Sequence, residues 1–325
     1  MSFFPQFEMA GELPPQATRL GPKLRALAAE GICIGTSSWK YEGWVGSIYR
    51  PERYKVRGKF SNKKFESECL SEFAETFPIV CGDFAFYQFP SSEYWKRLFQ
   101  ESPESLQFAF KVPEDITAAK WPRHARYGTR AGQDNVHFLD AKVFQTLFAR
   151  PLERYASRVA TLIFEFGTFA KSTFPTPDLF LSRLDPFLAA LPGGFRYSIE
   201  IRNPEYLGSN YFTLLASHGV AHVFNAWTRM PEIAAQMEMP GAFTADHIVA
   251  RCLLRKGRTF EQGVEAFAPY QHIQDPNPSV RDAIRRLAEH ARQRKKPAFL
   301  FVNNRLEGNA PSTIEAIVDS LDASP

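Results

Sequence analysis

The stretch "TLIFEFGTFAKSTFPTPDLFLSRLDPFLAALPGGFRYSIEIRNPEY", Thr161 to Tyr206, reads as strand, helix, strand. Thr161 to Phe166 is an apolar run of strand length, a helical pattern begins at Pro177, and Arg196 to Ile201 is strand-like again. Two strands joined through a helix run parallel, and the crossover between them is right-handed. Strand side chains alternate between the two faces. Ile199 and Ile201 therefore share one face, and Glu200 and Arg202 share the other. Isoleucines belong beneath helices, so the charged pair is expected to point inward. On the preceding strand Phe164 and Phe166 face outward and Glu165 inward.

The same unit recurs on both sides. Strand runs at Ile32–Ser38, Val80–Tyr87 and Gln107–Val112 precede it, and runs at Ala221–Trp227, Ile248–Leu254 and Ala298–Asn303 follow. Helical segments stand between them: Asn62–Phe77, one from Ser92, a long one from Asp140 to Tyr155, a short one ending at Gly219, a weak one from Pro231, and others from Ser279 and Ser312. Eight strand–helix units in one chain point to a closed (β/α)8 TIM-type barrel over residues 31–325. A doubly wound open sheet is the rival, but no GxGxxG follows the first strand. Residues 1–30 form an N-terminal extension. Leu20, Leu24 and Leu27 share one helical face, so one helix is expected there, packed on the barrel bottom.

Composition agrees with a globular chain. Of 325 residues 44% are hydrophobic and 23% charged, and 30 are Phe, enough for a large core. The net charge of +4 and a pI near 8.8 permit an anionic partner without demanding one. The four cysteines, Cys33, Cys69, Cys81 and Cys252, have no CxxC spacing and read as reduced and structural, which suits a cytoplasmic protein. The start lacks the charge and continuous apolar run of a secretory signal, and no stretch is long enough to span a bilayer. No membrane role is expected.

In a barrel, the carboxyl ends of the strands and the loops after them build the site. The loop after the first strand, "GTSSWKYEGWVGSIYRPERY" (Gly35–Tyr54), brings Trp39, Tyr41 and Trp44 to the mouth. The loop Pro113–Leu139 is also long, which favours a functional use. For any single aromatic of the first loop, packing on the barrel top is the competing reading. Alternation places Lys111, Asp83, Tyr87, Asn225, Arg251 and Asn303 inside with Glu165, Glu200 and Arg202. Charge is costly in a barrel normally filled by branched apolar side chains, so the set reads as a site. An ion-pair network that merely fills the barrel is the alternative.

Glu165 and Glu200 on adjacent strands suggest a glycosidase pair. The seventh strand, however, offers Arg251 where a carboxylate nucleophile would be needed. The seven histidines show no HxH or HExxH spacing, so no metal site is expected. Lys111 in Schiff-base chemistry is less natural than lysine and arginines acting as anion clamps. Ser37 and Ser38 lack a histidine partner. The basic run Arg285–Lys296 reads as a solvated helix face.

Several motifs together resemble the YecE-like family, also called domain of unknown function 72. They are "IGTSSWKYEGWVGSIYRPERY", "FAFYQFP" before "YWKRLF", "FAFKVPEDIT", "YSIEIRNPEY" and "FLFVNNRLEGNAPSTIEAI", in order from Ile32 to Ile317. The resemblance implies a TIM barrel and carries no assigned reaction. Lys111, Glu200, Arg202, Arg251, Asn303 and Asn304 match its pattern. Departures are Cys81 for an acid, Ala85 for a threonine, Ala118 and Asn203 for histidines, Glu165-Phe166-Gly167 where Gln-Leu-Pro is usual, and a seventh strand without its histidine.

The sequence thus leads to a barrel enzyme acting on an anionic substrate, phosphorylated or nucleotide-like, by acid/base chemistry. Glu200, Lys111 and Glu165 would be catalytic. Arg202, Arg251, Asn303, Asn304, Trp39, Tyr41, Trp44, Tyr87 and Asn225 would bind substrate. The cofactor stays open. The alternatives are a non-catalytic ligand-binding barrel and a nucleic-acid-processing barrel resembling the metal-dependent apurinic-site endonucleases, with nucleic acid the weaker partner.

Overall fold

In a computed structural model of the chain, residues 11–322 are described. The first ten residues of the N-terminal extension lie outside them. Eight parallel strands close into a barrel: β1 Ile32–Thr36, β2 Ile79–Gly82, β3 Gln107–Lys111, β4 Val159–Phe166, β5 Tyr197–Ile201, β6 Ala221–Ala226, β7 Ile248–Cys252 and β8 Ala298–Val302. Each strand pairs with its sequence neighbours, β8 pairs with β1 along its length, and Thr36 opposite Val80 links β1 to β2. Gly35 makes that seam possible. A Cβ there would stand 2.0 Å from the Ile79 carbonyl oxygen.

Period-two alternation divides the residues as their chemistry requires. Phe164, Phe166, Ile199 and Ile201 face the helices in the main core. Inside, Cys33, Ile79, Cys81, Ala109, Ile163, Val223, Val249, Phe299 and Phe301 form a separate apolar plug. The charged residues sit one step further along the same strands, so the plug floors a polar layer at the carboxyl ends. All four cysteines are buried and unpaired.

The outer layer contains α1 Pro15–Ala29, α2 Asn62–Thr76, α3 Ser92–Glu101, α4 Pro177–Ala189, α5 Ser209–Ser217, α6 Ile233–Met237, α7 Phe260–Phe267, α8 Pro278–Arg294 and α9 Ala310–Asp322. Leu20, Leu24 and Leu27 are the buried face of α1. This helix does not cover the barrel bottom, as the sequence suggested. It lies beside β1 between α2 and α9: the Ala17 N–H donates to the Ser47 carbonyl above β1, and Lys23 pairs with Asp319 and Asp322. The long helix expected from Asp140 to Tyr155 is broken into Ala141–Phe144, a widened π-type turn Gln145–Ala149, Arg150–Leu152 and a tighter Glu153–Arg158. Pro151 accounts for this, since it has no N–H to give and its ring crowds the carbonyl four residues back. Helix α7 went unread, although Thr259 and Gln262 form a capping box at its start. Among the described residues no helix is long and apolar enough to cross a membrane.

Candidate functional site

The polar layer holds three cations and three carboxylates from five strands. Lys111 Nζ lies 3.0 Å from Glu165 Oε2 and 3.5 Å from Asp83 Oδ1. Arg202 reaches Glu165 Oε2 at 2.9 Å and Glu200 Oε1 at 3.1 Å. Arg251 NH1 reaches Glu165 Oε2 at 2.5 Å, also donates to Glu200 Oε2, and its NH2 stands 3.6 Å from Asp83. Lys111, Glu165, Glu200 and Arg251 are all buried. Lone charges could not be kept there, but this set is paired throughout.

Two oxygens of Glu165 have different neighbours. Oε2 takes Lys111, Arg202 and Arg251, whereas Oε1 receives no hydrogen bond among the described residues. Burial opposes ionisation of this carboxyl, but Arg202, Lys111 and Arg251 outweigh it and hold its pKa well below the carboxylate range. Both oxygens of Glu200, by contrast, are occupied by arginines. Arg202 is held by Nε on Glu200 and by its guanidinium lying 3.8 Å over the Trp227 ring. Its NH1 takes no protein partner among the described residues. The ammonium of Lys111 rests 3.7 Å over the Phe86 ring.

Glu165 and Arg202 form the floor of a cavity of about 590 Å³. One wall is the turn Gly167–Thr173 after β4; the other is the 113–139 loop. That loop is built rather than slack. Trp121 and Gly132–Gln133 exchange backbone hydrogen bonds, and the Glu114 N–H is tied to the Phe86 carbonyl at 2.8 Å. The Tyr127 hydroxyl donates to buried Glu114 at 2.7 Å, and Arg126 lies between the rings of Tyr87 and Tyr127 at 4.4 and 4.6 Å. Lys120, Arg123 and Arg126 stand around the mouth.

The other residues singled out in the sequence are placed differently. Asn225 pairs in register with Arg251 and is wholly buried, its amide donating to the Ile201 and Val223 carbonyls and its Oδ1 without a partner among the described residues. Asn303 Oδ1 accepts from the Arg305 N–H, and Asn304 Oδ1 accepts from the Ala310 N–H at the start of α9. Trp39 is buried against Phe84; Tyr41 is half-buried against Trp44 and Tyr270, and burial pushes its hydroxyl pKa up. Two expectations are corrected. Trp44 is fully buried, packed on Tyr49 and Phe77, so it offers no face to a ligand. Tyr87 is not interior: β2 ends at Gly82, the Phe86 N–H turns back to the Asp83 carbonyl, and Tyr87 is left 55% exposed.

Phe86 and Trp227, which support Lys111 and Arg202, were not picked out as site residues from the sequence. Trp227 closes the run read as Ala221–Trp227 and so carried a strand-end signal, whereas Phe86 falls inside the run read as Val80–Tyr87 and carried none. His222 faces outward among Phe212 and Phe224, and His247 lies at the amino end of β7. Among the described residues no group of three or more His, Cys, Asp or Glu side chains is arranged to hold a metal ion.

A closed eight-stranded parallel barrel with a paired charged layer at its carboxyl ends defines the class: a (β/α)8 barrel protein. The family model described as protein of unknown function DUF72 matches residues 33–325, and the chain belongs to that family. It is 24% identical over 176 residues to the UPF0759 protein YecE of Escherichia coli K12, a match covering 54% of this chain and 50% of that protein. The chain thus spans about half the length of the curated relatives it matches. Among solved structures, a DUF72 family protein of Thermotoga maritima aligns with TM-score 0.58 and 18% identity, over 90% of this chain and 99% of that one. One from Enterococcus faecalis V583 aligns with TM-score 0.58 and 15% identity, over 90% and 96%. These likenesses bear on the fold.

Proposed function

We infer that this barrel is an enzyme acting by acid/base chemistry on a small anionic substrate bound in the cavity above β4 and β5. One observation carries the reading: Glu165 and Arg202 meet at 2.9 Å through Oε2 and NH2, and their Oε1 and NH1 take no protein hydrogen bond among the described residues, on the floor of a cavity with cationic side chains at its mouth. Glu165 enters ionised, with its open Oε1 as the atom that takes the proton; the three cations on Oε2 make it a weak base in the free protein, and an anionic substrate that shares Arg202 raises its basicity. Arg202 NH1, fixed by Trp227 and Glu200, supports the substrate oxygen on which negative charge builds. Lys111 steadies the carboxylate from the other side. Glu200 and Arg251, buried and mutually occupied, position this pair instead of touching substrate. The leading catalytic role therefore moves from Glu200 to Glu165.

A panel of phosphorylated and carboxylated small molecules, screened for turnover with the full chain, tests the reading. Glu165→Gln is expected to lower turnover of the accepted substrate about 10²–10⁴-fold, the usual span for a lost general base. A folded Glu165→Gln protein with undiminished turnover would remove the proposed base. The burial of Glu200 between Arg202 and Arg251 also favours a second reading, a ligand-binding barrel without catalysis. Saturable binding with no turnover across the panel would select it.

A further inference from the structure

The charge balance of the cavity floor fixes which end of a substrate can sit there. Lys111, Arg202 and Arg251 are matched by Asp83, Glu165 and Glu200, so the cations expected to clamp an anion are already neutralised. A phosphate pushed against them would add buried charge with no counter-charge, which is expensive. What Glu165 and Arg202 offer on the floor is an acceptor, Oε1, and a donor, NH1, that take no protein hydrogen bond among the described residues, on two side chains that meet at 2.9 Å through Oε2 and NH2. Adjacent hydroxyl groups match that pair, since one hydroxyl donates while its neighbour accepts.

The mouth differs by one cation. Lys120 and Arg126 stand there with acid partners, at 3.3 Å from Asp134 and 3.3 Å from Glu114. Arg123 has no acid partner among the described residues, and it lies across Gly132, where an added Cβ would come within 3.4 Å of its Nε. The volume of about 590 Å³ falls inside the roughly 300–1,000 Å³ usual for small-molecule sites.

We propose that the ligand is a phosphorylated polyol of the sugar-phosphate kind, bound with adjacent hydroxyls on Glu165 and Arg202 and its phosphate at Arg123. This rests on the cavity being the substrate site inferred above. The test is calorimetric titration of the full chain with glucose 6-phosphate, glucose and inorganic phosphate. Glucose 6-phosphate should bind at least tenfold more tightly than either fragment. Arg123→Ala, at an exposed position where folding is not at stake, should cost glucose 6-phosphate about tenfold in affinity and glucose less than twofold. Glu165→Gln should weaken glucose and glucose 6-phosphate together while leaving inorganic phosphate unaffected. Phosphate binding that is lost in Glu165→Gln and kept in Arg123→Ala would overturn the orientation. Absence of binding for all three probes would overturn the ligand class. In that case Glu165-dependent turnover of another anion would show that the site reading itself still stood.

Discussion

Arg251 shows how much one residue can hold in place. It is fully buried, its charge is opposed by burial and upheld by Glu200, Glu165 and Asp83, and its Nε finds no partner among the described residues. Removing it leaves two buried carboxylates facing only Lys111 and Arg202. Arg251→Ala is therefore expected to destabilise the protein by about 3–5 kcal/mol in denaturant unfolding, the cost of breaking a buried pair. A loss under about 1 kcal/mol would mean that the layer is wetter and less coupled than these contacts imply. The alternation that placed Glu165, Glu200 and Arg251 inside was legible, because a period of two is a property of extended backbone. Their mutual neutralisation was not. Which oxygen meets which nitrogen depends on strand register around a closed ring, and no local pattern encodes that.

The first loop, among the connecting elements, answers to packing. Its rings Trp44, Tyr49 and Tyr54 are buried against Phe65 and Phe77 of the α2 region, and the Tyr49 hydroxyl donates to the Trp39 carbonyl. Gly43 explains the glycine before Trp44, since a Cβ there would meet the Pro269 carbonyl oxygen at 2.0 Å. Gly43→Ala should force the loop off the 268–270 segment and cost about 1–3 kcal/mol, as overpacking does. Gly208→Ala, where nothing lies within 4 Å of the added carbon, should change stability by less than about 0.5 kcal/mol. Equal melting temperatures for the two variants would contradict the close approach. Element ends were the least readable feature. "VCGDFAFY" alternates well beyond Gly82, yet the chain leaves the barrel there because the Phe84 ring folds back over Gly82 and packs on Trp39 and Trp95. That is a tertiary contact, and strand alternation therefore stops short of Tyr87.

At the scale of the whole molecule, an apolar plug at the amino half of the barrel supports a charged layer at the carboxyl half, and long loops enclose one side of it. Eight strand–helix units announced the barrel, and repetition made that inference robust to the misread boundaries. The placement of α1 escaped because its apolar face fits the side of the barrel as well as its floor. Linkage gives the layer a pH signature. Glu165 has a folded pKa below its unfolded value, so its contribution is fully present above the unfolded value and is lost as pH falls through the folded one. The most direct measurement is therefore the carboxyl carbon shift of Glu165, followed by NMR in selectively labelled protein from neutral pH down to about pH 3. Convergence of Lys111, Arg202 and Arg251 on one oxygen predicts a flat trace over that whole range. An inflection at or above the ordinary value of 4.5 would contradict it.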